Sequence, residues 1–168
     1  NGTVVIVRPG VGMQLTPWLT LWGGYAWIPT SNDADGSVTD EHRIWEQVTL
    51  SHSIPSGIAL QSRTRFEQRF QENGDDIALR VRQFIRANYR PRSEVPLGLA
   101  FWDELFVGLN DNDWGAPKGF DQNRTFLGPF LQMDSGPRLE AGYLFVYIDR
   151  PAAKTRAHVL AVNLFVSL

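Results

Sequence analysis

The 168-residue chain contains no cysteine, which excludes disulfide bonds and thiolate metal sites. It is also poor in lysine, because Lys118 and Lys154 are the only lysines among 16 basic residues and the other 14 are arginine. Soluble proteins usually carry many lysines on their solvated surfaces, whereas arginine is preferred where charge is buried and paired. The arginine bias therefore indicates charges that the fold holds inside.

A strong net charge and a long apolar run are missing as well. The net charge is −2, which gives no reason to expect nucleic acid as a partner. No stretch reaches the roughly 20 apolar residues of a membrane-spanning helix. A transmembrane β-barrel is not excluded by this, because its alternating strands have only moderate average hydrophobicity. Six Trp, ten Phe and four Tyr make the chain rich in aromatic residues, which suits such a barrel.

Strand-like segments separated by clusters of Gly, Pro, Asn and Asp follow one another along the whole chain. We predict nine strands, over residues 3–15, 17–29, 41–54, 57–72, 76–90, 97–110, 120–133, 138–149 and 156–168. Helix signals are almost absent. Most segments exceed the usual strand length of about 5–6 residues and suit the roughly 9–11 residues that a tilted membrane strand needs.

The connections between these segments alternate in size along the chain. Compact turns at 15–18, 54–57, 91–96 and 134–137 alternate with connections at 30–40, 72–76, 111–119 and 149–155, two of which are long. An outer-membrane barrel has short periplasmic turns and longer outer loops, and bacterial single-chain barrels have even strand numbers. We therefore expect one β-barrel domain over 1–168 that lacks its natural N-terminal strand or strands, with about 10–12 strands in the complete chain.

Polar and apolar residues alternate in most segments, so each strand has two different faces. In 57–72 one face carries Arg63, Arg65, Glu67 and Arg69, and the other carries residues such as Phe66. A soluble lipocalin-type barrel turns its apolar face inward, whereas a membrane barrel turns that face to lipid and the polar face to the lumen. Arginine with scattered Glu, Gln and Asn favours an enclosed polar face, and hence the membrane barrel.

Several motifs resemble those of the bacterial family catalogued as domain of unknown function 2490. The most specific are FDQNR at 120–124, R-x-E-Q-R at 65–69 and the glutamate of DELF at 103–106, and the similarity covers nearly the whole chain. The resemblance implies a secreted outer-membrane β-barrel with further strand-like sequence before the RPG segment at 8–10. It implies no activity, because none is established for the family.

The main candidate site is a set of charged residues on the polar face. Ten arginines and three glutamates form the predicted lumen charge network: Arg43, Arg63, Arg65, Glu67, Arg69, Arg80, Arg82, Arg86, Arg90, Glu104, Arg124, Arg138 and Glu140. One interpretation is structural, with Arg–Glu pairs and Arg stacked on aromatic rings fixing the strand register. The other is an anion-attracting pore or a site for an acidic ligand, because three carboxylates cannot pair with ten cations.

Signals for an enzyme or a metal site are weaker. His42 and His158 fall near the outer rim, and His52 lies beside Ser51 and Ser53, but no G-x-S-x-G elbow is present. The aspartates Asp33, Asp35, Asp40, Asp111 and Asp113 lie in two loops and lack the remaining positions of an EF-hand. We interpret them as turn-forming residues and expect no metal or other cofactor.

The sequence thus predicts an all-β, antiparallel up-and-down transmembrane β-barrel in the bacterial outer membrane. We favour a non-enzymatic function, either structural or accessory or as a narrow anion-preferring pore with an Arg-rich lumen. Expected partners are outer-membrane lipid and lipopolysaccharide, small anions and other envelope proteins. Two alternatives stay open: a lipid- or lipopolysaccharide-modifying hydrolase, and a soluble periplasmic lipocalin-like binding protein.

Overall fold

A computed structural model describes residues 2–91, 95–133, 136–150 and 153–166, and every regular element in these ranges is a β-strand. The strands are β1 Gly2–Val4, β2 Gly10–Thr16, β3 Leu19–Asn32, β4 Val38–Ile54, β5 Ile58–Gln71, β6 Ala78–Tyr89, β7 Leu97–Gly108, β8 Gly119–Gln132, β9 Arg138–Asp149 and β10 Lys154–Phe165. In this described part of the chain, no helix is long and apolar enough to cross a membrane.

All ten strands belong to one sheet, in which each strand from β4 onward pairs with the strand that precedes it. The pairing is antiparallel wherever the register is resolved, for example Val162 of β10 with Ala141 of β9. Strands β1 and β2 both pair with β3, and the order ends at β10. The predicted all-β, up-and-down antiparallel sheet is therefore confirmed.

The first predicted strand, 3–15, is divided in the structure. Strand β1 pairs Val4 with Thr30, whereas β2 pairs Gly10 with Gly24 further along the same edge of β3. Pro9 lies in the gap, where it has no N–H to donate to the ladder, and its carbonyl accepts the N–H of Tyr25 at 3.2 Å. Ten strands thus replace the nine predicted, because one edge strand is interrupted at a proline.

The predicted loop over 30–40 is shorter in the structure, because strands β3 and β4 extend into it. Asn32 and Ser37 close the hairpin, with the Asn32 N–H donating to the Ser37 carbonyl at 2.9 Å. Gly36 lies between them with φ of +69°, a conformation that glycine adopts without strain. The turn-rich composition of this segment therefore marks a tight hairpin and not a long loop.

At the other end, β10 covers Lys154–Phe165, and residues 167–168 of the predicted last strand lie outside the described ranges.

Burial separates the two faces of the strands as the alternation predicts, with the polar face inside. The buried polar residues include Arg65, Glu67, Arg69, Arg80, Arg82, Glu104, Asp121, Gln122 and Glu140. Many large apolar side chains on the other face are exposed, among them Val11 at 80% and Leu160 at 82%. We call these the polar face and the apolar face. A lipocalin-type sheet would bury the apolar face, so the observed burial is the reverse of that alternative.

Residue contacts divide the chain into two compact units. Unit 1 comprises 1–49, 64–82 and 106–121, and unit 2 comprises 50–63, 83–105 and 122–168. In unit 1, Ala26, Ile28 and Trp45 form a small buried apolar cluster. In unit 2, Ala100, Phe126 and Phe130 form another, with Trp102 stacked on Phe126 at 5.4 Å between ring centroids. Each unit therefore combines buried charge with a small aromatic core.

Strands β8 and β9 approach each other closely at a pair of glycines in unit 2. A Cβ atom built on Gly142 would lie 2.5 Å from the carbonyl oxygen of Leu127 and 2.6 Å from the Cα of Gly128. The same atom would lie 2.8 Å from the ring of Phe126, which is completely buried. Because two of these neighbours are backbone atoms, no rotamer change relieves the contact. Gly142 therefore provides the space in which the Phe126 ring packs.

We expect Gly142→Ala to lower the free energy of unfolding by about 1–3 kcal/mol, because the added methyl overpacks this contact. Gly136→Ala is the matched control, since nothing lies within 4 Å of its added Cβ. There the same change should be neutral or slightly stabilising. Denaturant unfolding followed by far-UV circular dichroism measures both. Equal stability of the two variants would contradict the close approach of β8 and β9.

Candidate functional site

The buried carboxylate of Glu67 is the centre of the charged cluster in unit 1. Glu67 lies on β5 and has no solvent exposure. Its Oε2 accepts hydrogen bonds from Arg80 Nε at 2.9 Å and Nη2 at 2.5 Å, and its Oε1 accepts one from Arg82 Nη1 at 2.9 Å. Arg65 Nη1 lies 3.9 Å from Oε1. One carboxylate on β5 thus binds two guanidinium groups of β6 and one of its own strand.

A second carboxylate, Glu41 on β4, organises the other two predicted arginines of unit 1. Its Oε1 accepts Nε–H bonds from Arg43 at 2.7 Å and from Arg69 at 2.6 Å, and its Oε2 accepts Nη2–H bonds from both at 3.1 Å. The sequence prediction missed Glu41, although it lies two residues before Arg43 and therefore on the same face of the strand. The spacing of two residues between Glu41 and Arg43 was the sequence signal that could have identified Glu41 as part of the cluster.

Aromatic rings and polar side chains complete the surroundings of these arginines. Arg65 lies over the Trp45 ring at 4.3 Å and donates from Nε and Nη2 to the side-chain oxygen of Gln47 at 2.9 and 2.6 Å. Arg82 lies 4.5 Å from the centroid of Phe106. Such stacking adds cation–π attraction to the ion pairs and replaces the water that the guanidinium loses.

Every predicted arginine of unit 1 has a carboxylate within ion-pair distance. Asp121 is a further buried acid, and its Oδ2 lies 3.4 Å from Arg80 Nη1. The five predicted arginines Arg43, Arg65, Arg69, Arg80 and Arg82 are therefore met by three carboxylates, those of Glu41, Glu67 and Asp121. A buried guanidinium without a carboxylate or acceptor is costly. This pairing supports a structural role for the unit 1 cluster.

The remaining seven predicted residues lie in unit 2. Arg63 donates from Nη2 to Glu104 Oε1 at 2.7 Å and lies over the Phe84 ring at 4.4 Å. Arg124 Nε lies 2.7 Å from the side-chain amide oxygen of Gln122, with the amide oriented to accept from the guanidinium. These two arginines therefore have partners of different kinds, a carboxylate and an amide.

Glu140 is the centre of a second buried cluster. It lies on β9 with no solvent exposure and forms ion pairs with Arg86 and with Arg138, the latter at 2.5 Å from Nη2 to Oε1. Asn88 connects the same two arginines, because its Oδ1 accepts from Arg86 Nε at 2.9 Å and from Arg138 Nη2 at 2.8 Å. Arg138 also lies 3.7 Å above the ring of Phe130. A single carboxylate thus serves two guanidinium groups.

A polar cavity lies beside this cluster in unit 2. One part, of about 430 Å³, is bounded by Arg90, Arg138 and Asn88 together with apolar and backbone groups. An adjoining part, of about 420 Å³, is bounded by Arg86, Arg138 and Asn88 and shares Gln132 with the first. Within the described residues, Arg90 makes no side-chain ion pair. Among the described residues, three arginines therefore face the cavity and Glu140 is the carboxylate that pairs with two of them.

The residues considered for a hydrolase are not brought together. His42 shares a hydrogen bond through Nδ1 with the hydroxyl of Tyr25, and His158 shares one with the hydroxyl of Tyr143 at 2.5 Å. Both pairs are exposed. Within the described residues, no serine or threonine hydroxyl is hydrogen-bonded to His42, His52 or His158. In this part of the chain, the three histidines therefore do not form a serine–histidine or threonine–histidine pair of the kind that activates a nucleophile.

The loop aspartates serve as hydrogen-bond acceptors. Asp35 accepts from the backbone N–H of Ser37 at 3.0 Å and from its hydroxyl at 2.7 Å, and these bonds lower the pKa of the Asp35 carboxyl. Asp113 accepts the backbone N–H groups of Asp75 at 2.9 Å and Asp76 at 3.2 Å, which lower its pKa below the ordinary value. In the described ranges, no group of three acidic or histidine side chains is placed to hold a metal ion.

Removing the charge of Glu67 tests the unit 1 cluster. We expect Glu67→Gln to lower the free energy of unfolding by about 3–5 kcal/mol, because buried guanidinium groups lose their carboxylate. Glu46→Gln is the matched control, since Glu46 is exposed on the neighbouring strand and should change stability by less than about 0.5 kcal/mol. Urea unfolding followed by tryptophan fluorescence compares the two variants. A small effect at Glu67 would show that the cluster does not hold the strands.

Comparison with known proteins agrees with the family expected from the sequence motifs. The family described as protein of unknown function (DUF2490) matches residues 2–157. An uncharacterized protein of Methylorubrum extorquens is 37% identical over 169 residues, which cover 96% of this chain and 72% of that protein. The match spans both units and nearly all ten strands. The chain therefore belongs to the family of proteins of unknown function DUF2490.

Proposed function

We propose that the chain is an outer-membrane β-barrel protein with a narrow path along its polar face that prefers small anions. The distribution of polar and apolar side chains supports the membrane part of this proposal. Apolar residues such as Val11 and Leu160 are among the most exposed, whereas charged residues such as Glu67 and Glu140 have no exposure. A sheet in water is expected to show the opposite arrangement, and a sheet in lipid this one.

A barrel also requires that the sheet closes. Strand β10 pairs with β9 along its whole length, from Lys154 with Asp149 to Phe165 with Arg138, and the strand order ends there. An open edge does not persist in a hydrocarbon layer, because unpaired N–H and C=O groups cannot be hydrated there. The proposal therefore includes a closed barrel, and the count of about 10–12 strands stays a prediction.

In this proposal, the preference for anions comes from the charged residues around the cavity beside Glu140. Arg86 and Arg138 share Glu140 as their carboxylate, and Arg90 faces the same cavity. Taken together these groups have a charge of +3 − 1 = +2, in a space of about 430 Å³ in one part and 420 Å³ in the other. A ring of arginines with incomplete compensation attracts anions and repels cations. The position of these three arginines on the wall of a cavity is the single observation on which the selectivity rests.

The ion-paired arginines of unit 1 have a structural role in the same proposal. Glu41 and Glu67 each join arginines from different positions, and these ion pairs connect β4 with β5 and β5 with β6. Cross-strand ion pairs of this kind favour one pairing of the strands over others. The apolar face would contact outer-membrane lipid or lipopolysaccharide. The loops that connect the strands would be available to other envelope proteins.

The membrane location is tested before the pore. Membranes from cells that express the natural full-length protein are washed with buffer, with high salt and then with an uncharged detergent. We expect extraction only by detergent, and faster migration of the unheated than of the boiled protein on a denaturing gel, because a folded barrel resists the denaturant at room temperature. Release into buffer without detergent would contradict the proposal.

Ion selectivity is measured in planar lipid bilayers across a tenfold gradient of potassium chloride. We expect a reversal potential that indicates anion preference for the wild type, and a preference reduced severalfold in Arg138→Gln, because one of the three facing charges is removed. Lys154→Gln removes one exposed charge outside the cavity and is the control. Selectivity that is the same in all three proteins, or no conductance at all, would leave only the structural role.

A further inference from the structure

An open cleft lies on the apolar face of unit 2, close to the start of β10. The strand register places Asn123 of β8 opposite Tyr147 of β9, and Tyr147 opposite Arg156 of β10. In the next row on this face, His158 lies opposite Phe145. These five side chains border a cavity of about 510 Å³. Polar groups thus interrupt the apolar face at this point.

Arg156 is the uncompensated charge in this cleft. Its side chain is exposed, and its guanidinium lies 5.9 Å from the centroid of the Tyr147 ring. In the part of the chain that the structure describes, Arg156 forms no ion pair. Lys154, two residues earlier, differs in this respect because its ammonium lies 3.6 Å from Asp149. The cleft therefore presents a cation that has an aromatic neighbour and, among the described residues, no carboxylate at ion-pair distance.

His158 is held in a fixed position beside this cation. Its Nδ1 shares a hydrogen bond of 2.5 Å with the hydroxyl of Tyr143, and its ring lies 5.9 Å from the Tyr143 ring and 5.4 Å from the Phe145 ring. The other ring nitrogen, Nε2, makes no hydrogen bond to any described residue. It is therefore available to a ligand in the cleft.

The nearby carboxylate of Asp103 is hydrogen-bonded to two neutral donor groups. It accepts from Asn123 Nδ2 at 2.9 and 3.0 Å and from the Thr125 hydroxyl at 2.6 Å. These bonds fix the Asn123 amide at the wall of the cleft. Among the described residues, Asp103 forms no ion pair with Arg156, whose side chain stays exposed.

Below the cleft, the same face of β10 continues as an apolar strip. Leu160, Val162 and Leu164 follow His158 at alternate positions, and their side chains are exposed by 82%, 65% and 63%. A cationic cleft that continues into exposed aliphatic side chains complements a molecule with an anionic end and hydrocarbon chains. A small inorganic anion would use the cleft and leave the strip uncovered.

The geometry points to a binding site for the phosphate-bearing headgroup of an anionic lipid, with Arg156 and His158 at the phosphate. The acyl chains would lie along Leu160, Val162 and Leu164. Arginine suits this role because its planar guanidinium binds two phosphate oxygens at once. The inference goes beyond the proposed pore, because the cleft lies on the other face of the sheet and needs no conduction.

The test uses the purified full-length protein in an uncharged detergent and isothermal titration calorimetry. Three probes separate the parts of the ligand: dihexanoylphosphatidic acid, inorganic phosphate and dihexanoylglycerol. We expect saturable binding of the phosphatidic acid, at least about tenfold tighter than binding of phosphate or of the diacylglycerol, because only the first probe reaches both the cleft and the strip.

Substitutions that each change a single charged side chain locate the binding site. Arg156→Gln should weaken binding of the phosphatidic acid by about tenfold or more, and Arg156→Lys by less, because the charge remains. Lys154→Gln, which removes a neighbouring charge, should change the affinity less than about twofold. Circular dichroism checks that the exposed substitutions leave the fold intact.

Three results would overturn the inference. The first is equal affinity of wild type and Arg156→Gln, and the second is an equal loss in Lys154→Gln, which would indicate only general charge attraction. The third is inorganic phosphate binding as tightly as the lipid, which would make the cleft a site for a free anion. None of these results depends on ion conduction, so failure here and failure of the pore proposal remain distinguishable.

Discussion

The fold depends on buried carboxylates that are each shared by several guanidinium groups. Glu67 and Glu140 have no contact with solvent, and each binds at least two arginines. Taking a carboxylate out of water costs several kcal/mol, which only close, hydrogen-bonded cations offset. The positions of these arginines are therefore fixed by the acids they surround. In this protein the interior is ionic, and the small aromatic clusters fill the spaces that remain.

The two units use this interaction to different degrees. In unit 1 five predicted arginines meet three carboxylates, one of which, Glu41, binds two arginines in the same manner through both of its oxygens. In unit 2 the carboxylate of Glu140 faces three arginines across a polar cavity. Compensated charge stabilises a structure, whereas uncompensated charge attracts ligands. Each predicted arginine of unit 1 has a carboxylate within ion-pair distance, whereas Arg90 of unit 2 has none among the described residues and lines a cavity. This difference assigns the first cluster to the fold and makes the second available for function.

The sequence predicted the faces of the strands well, because a strand places alternate residues on opposite sides regardless of its neighbours. Arg65, Glu67 and Arg69 were assigned together to the buried face for this reason, and all three are buried. Partners across strands were not predictable, because they depend on register. Asp121 was missed for a related reason: it and Gln122 are both buried although they are consecutive, so alternation does not apply at the start of β8.

Errors in the strand boundaries have local causes. The break between β1 and β2 lies where Pro9 on one strand and Pro29 on the other have no N–H to donate to the ladder, which a pattern of apolar residues does not record. The segment 30–40 was predicted as a loop from its Asn, Asp and Ser residues. In the structure Asn32 and Ser37 instead close a hairpin by backbone hydrogen bonds. Composition indicated the turn but could not give its length.

The shared carboxylates also discriminate between registers that hydrophobicity cannot distinguish. If β6 slipped by two residues along β5, every side chain would stay on its own face, and the apolar pattern would be unchanged. The slip would move one of Arg80 and Arg82 into the place of the other, so Glu67 would keep at most one of its two partners. The second guanidinium would lose its carboxylate. The buried ion pairs therefore select the correct strand register during assembly, because a shifted register that keeps the apolar pattern loses some of these pairs.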